Sequence, residues 1–115
     1  MTKEFVEGMF ASIDGRRWEE LRDRFCADAV YERPGYEPLV GLDAILDFYA
    51  NVRVIVAGAH HLTRIVVEDG GGACWGRFVG KHKNGSDLDE RFADVYTTEN
   101  GKIKTRTSYF FRPAV

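Results

Sequence analysis

Residues 60–111 read HHLTRIVVEDGGGACWGRFVGKHKNGSDLDERFADVYTTENGKIKTRTSYFF, and the breaks in this stretch decide the fold class. Asp69-Gly70-Gly71-Gly72, Asn84-Gly85 and Asn100-Gly101 divide it into runs rich in β-branched and aromatic residues. Such runs favour strands. Asn-Gly is the dipeptide of tight hairpins, because both residues tolerate a left-handed backbone. The spacing predicts strands over His60–Glu68, Ala73–Lys83, Asp87–Thr97 and Lys102–Phe111, joined as an antiparallel meander.

Upstream the period changes. Phe5, Met9 and Ile13 recur at helical spacing, and Asp14-Gly15 supplies a stop. Trp18, Leu21 and Phe25 mark a second short helix. Val30 to Arg33 reads as extended, and Pro34-Gly35 with Glu37-Pro38 makes a loop. After Gly41, the residues Leu42, Ile45, Leu46 and Tyr49 give a third helix, with Asp43 favourably placed in its first turn. The β-branched run within Val52–Ala59 favours strand, with helix tail and loop left open. Helices followed by a meander predict one α+β domain over residues 1–115, helices packed in the concave face of a curved sheet.

Composition limits the function classes. The 115 residues are 44% hydrophobic and 30% charged, enough apolar matter for a core without metal or disulfide. The net charge of −2 and scattered basic residues argue against nucleic acid as a partner. Cys26 and Cys74 stand alone, without metal or redox spacing, so a reducing, cytoplasmic setting and free thiols are expected. The run Val54–Ala59 is too short to span a bilayer. No metal or cofactor motif is present.

Strand alternation sorts the candidate residues by face. Leu88, Glu90, Phe92, Asp94 and Tyr96 share one face, which puts a carboxylate between two aromatic rings. Such a group must be hydrogen-bonded, exposed, or tuned for proton transfer. By the same parity His61 joins Thr63, Ile65 and Val67 on the more apolar face, and His60 takes the other. Adjacent strand residues point apart, so the His60-His61 pair is no metal site. Parity leaves open whether Trp75 and Arg77, or Cys74, Gly76 and Phe78, face inward. A sheet apolar on both faces suggests a homodimer.

The order of these pieces resembles the SnoaL-like and ketosteroid-isomerase-like branch of the nuclear-transport-factor-2-like superfamily. The resemblance rests on Trp18-Glu19-Glu20-Leu21, then Phe25-Cys26-Ala27-Asp28-Ala29-Val30-Tyr31-Glu32-Arg33-Pro34, then Gly41 and a helix ending in Phe48-Tyr49. It continues with Phe92-Ala93-Asp94-Val95-Tyr96, Asn100-Gly101, Lys102-Ile103 and the closing Tyr109-Phe110-Phe111. It implies a conical pocket between helices and sheet, and a dimer. In ketosteroid isomerases the base stands where this chain has Arg33, and the oxyanion-donating tyrosine where it has Met9. The partner acid and supporting tyrosine of those enzymes match Asp94 and Tyr49.

The resemblance therefore implies a cofactor-independent acid–base enzyme acting on a small, largely apolar carbonyl compound, by cyclisation, isomerisation or dehydration. Asp94 would be general acid or base, assisted by His61, with Arg33 stabilising an enolate or an acidic substrate group. Tyr36, Tyr49, Trp75, Phe92 and Tyr96 would shape the pocket, with Met9 and Arg77 as further ligand contacts. A non-catalytic module of the same fold, binding a hydrophobic ligand or serving in association, is the alternative. The third possibility is water activation as in limonene-epoxide hydrolases, with Arg33 or Arg77 beside Asp94.

Overall fold

The computed structural model describes residues 1–112; of the domain expected over 1–115, residues 113–115 lie outside the described residues. The chain runs α1 (Lys3–Asp14), α2 (Trp18–Arg22), β1 (Phe25–Glu32), β2 (Leu39–Val40) and α3 (Leu42–Asp47). It continues through a π-helical turn (Phe48–Val52) into β3 (Ile55–Glu68), β4 (Gly71–His82), β5 (Asp87–Glu99) and β6 (Lys102–Phe110). The six strands form one curved, unclosed sheet in the order β2-β1-β6-β5-β4-β3. Neighbours are antiparallel except β1 and β6, which run parallel. The α+β class with helices on the concave face is as the periodicity predicts.

Helix α1 is capped by Thr2, whose Oγ1 accepts the Phe5 N–H at 3.0 Å. Its apolar stripe, Val6, Met9, Phe10 and Ile13, is buried across β3. Helix α3 lies across β1 and buries Ile45 and Leu46. Leu21, Phe25, Ala29, Tyr31, Phe48 and Ile103 complete the core between them.

Three local expectations are corrected. Phe25 keeps helical spacing with Trp18 and Leu21, yet α2 ends at Arg22 and Phe25 opens β1. The ambiguous stretch divides, with Val52 in the π-helical turn and Ile55 starting a strand of 14 residues. The Asn100-Gly101 turn has both residues left-handed (φ 52° and 77°), as a two-residue hairpin requires. At Asn84-Gly85, by contrast, only Gly85 is left-handed (φ 91°), and the loop spans the four residues between His82 and Asp87.

The correction that matters for function is in β3. Its pairing with β4 slips between Ile55 and Ala57 and again between Leu62 and Arg64, so Val56 and Thr63 are extra residues. Each bulge reverses the parity of the residues beyond it. Ile65 and Val67 turn inward beyond the second bulge, whereas His60 and Leu62 turn inward before it. Gly76 of β4 sits opposite Leu62, where a Cβ would come within 2.1 Å of the His61 carbonyl oxygen. Glycine is the residue that admits this close approach.

Gly76→Ala should therefore lower stability by about 1–3 kcal/mol, as overpacking against backbone does. Urea unfolding checks this, and an unchanged midpoint would show that the bulge relaxes without cost.

Candidate functional site

The inner faces of β1 and β3–β6, closed at one end by the π-helical turn, enclose a cavity of about 30 Å³. That is room for about one or two water molecules. Its walls combine Tyr31, Tyr49, Phe78, Phe92 and Phe110 with Arg33, Arg53, Arg106, Asp94, Glu90, Ser108 and His60.

Asp94 lies deepest, 1% exposed, and its two oxygens are fully engaged. Oδ2 accepts Arg106 Nε at 2.9 Å and the Tyr96 hydroxyl at 2.9 Å, and Arg106 Nη2 stands 2.9 Å away. Oδ1 accepts the Ser108 hydroxyl at 2.6 Å. Ser108 in turn accepts from Tyr31 at 2.8 Å, and Tyr31 from Arg33 Nη1 at 3.3 Å. The result is a relay of donors from Arg33 to Asp94. Arg106 is only 3% exposed, so this is a buried ion pair with its remaining lone pairs satisfied.

Arg106 also donates from Nη1 to the Tyr49 hydroxyl oxygen at 2.6 Å. The Tyr49 oxygen is thereby an acceptor, and its own O–H is left to donate elsewhere. Burial pushes the Tyr49 phenol up to about 12, so it stays protonated. Burial also raises the Tyr96 phenol and, together with the charge of Asp94, the Cys74 thiol, the latter to about 11. Burial acts the same way on Tyr31, but the nearby Arg106 and Arg33 guanidiniums outweigh it and leave that phenol below its ordinary range. Burial opposes the charge of Arg106, yet Asp94 and the surrounding phenols hold its guanidinium well above the usual value.

On the opposite wall stands a second polar pair. Asp14, the last residue of α1, accepts the His60 backbone N–H at 2.9 Å and faces His60 Nδ1 at 2.5 Å. That contact calls for a proton on Nδ1 and leaves Nε2 as the free acceptor of a ring that lines the cavity. Phe10, Phe78 and Phe92 pack around the imidazole at centroid distances of 4.6, 4.7 and 5.3 Å. Burial lowers its pKa below 6.5, against the opposing pull of Asp14.

The structure brings together Asp94, Arg33, Tyr49 and Phe92 in the cavity wall, with Tyr96 behind Asp94. It does not bring His61 there. His61 is exposed on the outer face, because the Thr63 bulge reverses the parity that placed it inside. Trp75 and Arg77 also lie on the outer face, where Arg77 pairs with Asp89. Met9 is a core residue with no part in the wall, and Tyr36 sits edge-on to Phe48 beside a shallower cleft. Arg33 does not reach Asp94 directly; its guanidinium stacks over Phe48 and Phe110 at 4.8 and 5.4 Å. Parity reasoning missed His60, Asp14, Arg53 and Arg106. A signal existed for His60: Leu62 and Ile65, both apolar, fall on opposite faces of a regular strand, and a bulge between them brings both inward. Among the described residues no group of three His, Cys, Asp or Glu side chains could hold a metal ion, and no helix is long and apolar enough to cross a membrane.

The lowered pKa of His60 has a consequence for stability. The folded state favours the neutral ring, so its contribution is complete above about pH 6.5 and declines as pH falls toward the folded-state value. NMR should find the His60 ring titrating below 6.5. His60→Gln should remove part of the stability lost on acidification, and identical pH slopes in variant and wild type would refute this.

The comparisons with known proteins agree with this architecture. A family model described as the SnoaL-like domain matches residues 6–106. No curated protein matches the chain. A solved protein of ketosteroid isomerase-like fold from Catenulispora acidiphila, in complex with trimethylamine, superposes with TM-score 0.83 at 19% identity, over 95% of this chain and 86% of that one. A SnoaL-like polyketide cyclase from Jannaschia superposes with TM-score 0.83 at 13% identity, over 94% and 83%. An epoxide hydrolase of the LEH-like type from M. tuberculosis superposes with TM-score 0.80 at 15% identity, over 93% and 80%. The fold therefore hosts several chemistries, and the family match over residues 6–106 shows that this chain belongs to the SnoaL-like domain family.

Proposed function

We propose that residues 1–115 act as one SnoaL-like domain catalysing cofactor-independent proton transfer on a small carbonyl compound, with His60 as general base. The observation that carries this is the His60–Asp14 pair, 2.5 Å apart, whose ring faces a cavity lined by Tyr49 and Arg106. An imidazole oriented by a carboxylate and kept neutral by burial is suited to taking a proton near neutral pH. The electron pair of the broken C–H bond moves onto the carbonyl oxygen. The Tyr49 hydroxyl, its oxygen held by Arg106, donates to that oxygen. The proton on His60 then goes to another carbon in an isomerisation, to the hydroxyl that departs as water in a dehydration, or to the alkoxide formed when the enolate carbon attacks a second carbonyl in a cyclisation. Asp94 is a positioning residue here, because its lone pairs are taken by Arg106, Tyr96 and Ser108.

The volume of about 30 Å³ favours a second reading, a non-catalytic domain for association or ligand binding, because a substrate enters only if the wall yields. The water-activating arrangement, with Arg33 or Arg77 beside Asp94, is not favoured, since Arg77 pairs with Asp89 on the outer face and Arg33 reaches Asp94 only through Tyr31 and Ser108.

Solvent deuterium exchange decides between the first two. In D₂O, wild type should speed exchange of α-protons in a panel of small aryl ketones and keto acids, followed by NMR. His60→Gln should lose about 10²–10⁴-fold of that rate with the fold intact. No exchange above buffer, with binding retained, would leave the binding module standing.

We further propose that the outer face pairs with a second copy of the chain. Trp75, Ala93 and Tyr109 are register partners across β4, β5 and β6, and Val79, Val95 and Phe111 extend the exposed apolar surface. The pairs Arg77–Asp89 and Lys81–Asp87 present both charge signs, as a self-complementary contact needs. Sedimentation should give a dimer that Tyr109→Glu dissociates; a monomer at high micromolar concentration would exclude it.

A further inference from the structure

Arg53 stands apart from the carboxylates of the cavity wall. Three guanidiniums, Arg33, Arg53 and Arg106, line it together with two carboxylates, Asp94 and Glu90. Asp94 is bound to Arg106. Glu90 is bound by both nitrogens of the exposed Arg112, at 2.9 and 2.8 Å, from outside the wall. Neither carboxylate is left for Arg53. Among the described residues no carboxylate comes within ion-pair distance of it, and its Nε is buried without a hydrogen-bond partner.

Arg53 is held in this position by its local structure. The π-helical turn ends at Val52, and the Arg53 N–H closes it on the Phe48 carbonyl at 2.8 Å. The wider turn carries the next side chain inward, and such turns recur at functional sites. The guanidinium then lies over the rings of Tyr49 and Phe78, 5.3 and 5.7 Å from their centroids. Aromatic faces support a cation but offer its N–H donors no lone pair. Burial opposes the charge, as the lowered pKa of Arg53 reflects. A guanidinium lining the cavity, partly exposed at its end and with Nε buried and unmet, has donors for an acceptor from outside the chain.

We propose that Arg53 binds the carboxylate of the ligand, so that the natural ligand is a small carboxylic acid with a flat, unsaturated body. A carboxylate matches the guanidinium donors in charge and planarity. The flat body is dictated by the walls, which are the rings of Tyr31, Tyr49, Phe78, Phe92 and Phe110. Exposure sets the direction of entry: Arg53, His60 and Phe110 are partly exposed, whereas Asp94, Arg106 and Ser108 are buried. The acidic group thus sits toward the mouth, and the body reaches inward to the Tyr49 hydroxyl as the wall yields, because the space of about 30 Å³ is smaller than such a body. This deepens the proton-transfer reading and rests on it only for the fate of the ligand, not for its binding.

The probe is benzoate against its neutral isostere benzamide, in chloride-free buffer, read by thermal shift and calorimetry. Benzoate should bind wild type at least about tenfold more tightly than benzamide and raise Tm with the logarithm of its concentration once that exceeds Kd. Arg53→Gln should abolish that preference. Arg22→Gln, the same charge change on the exposed side of α2, should leave it intact. Equal affinity for the two probes, no binding of either, or a preference that survives in Arg53→Gln overturns the proposal. If Arg53→Gln does not fold, the wild-type comparison still decides. Deuterium exchange on neutral ketones without benzoate preference removes the carboxylate site alone. Benzoate preference without exchange removes the proton-transfer reading alone.

Discussion

The buried pair of Asp94 and Arg106 is the constraint on which the rest of the interior depends. Each is almost wholly withdrawn from water, at 1% and 3% exposure. An ion pair at that depth persists only where hydrogen bonds replace the lost hydration, and losing one partner costs about 3–5 kcal/mol. Tyr96, Ser108 and Arg106 meet the carboxylate, and Tyr49 meets the guanidinium. Through Ser108 the network reaches Tyr31 on β1. One carboxylate thus ties β5 to β6, to the π-helical turn and to β1, and fixes the width of the cavity among them.

The same pair redistributes the chemistry that the family resemblance implies. In the isomerases that Asp94 resembles, an apolar site keeps the acid protonated so that it can donate. Here Asp94 only accepts, from a guanidinium at 2.9 Å and from two hydroxyls, so its oxygens are taken up within the network. In the proposed reaction donation passes instead to Tyr49, whose oxygen Arg106 holds. Proton acceptance passes in that proposal to His60, which depends on a helix-terminal carboxylate and not on the ion pair. Arg33, at the position of the isomerase base, becomes the first donor in the relay toward Asp94.

The sequence is legible where the backbone keeps its period. Strand β5 is regular across its central span, and the face Leu88, Glu90, Phe92, Asp94 and Tyr96 is buried as alternation predicts. Asp69-Gly70 and both Asn-Gly dipeptides fall between strands, whereas Gly71 and Gly72, expected in the turn, already belong to β4. Parity fails in β3, because bulges at Val56 and Thr63 leave His60, not His61, inside. Phe25 keeps helical spacing while opening a strand, since burial between α2 and β6 overrides the local pattern. Arg106 was hidden for another reason. Its charge argues for the surface, and only its register opposite Tyr96, beside Asp94, explains its burial.

These failures share a location. His60 lies between the two bulges of β3. Arg53 comes directly after the π-helical turn. Arg106 comes after a slip in β6, where Thr97 pairs with Thr105 but Thr98 with Ile103, so that Lys104 is extra. A regular strand presents every second residue to the core, and the core selects apolar side chains there. Turning a histidine or an arginine inward beside apolar neighbours of the opposite parity requires an added residue. The irregularities that defeat the alternation argument are therefore the means by which polar side chains reach the cavity, and an apolar parity conflict such as that of Leu62 and Ile65 marks in sequence where to look for them.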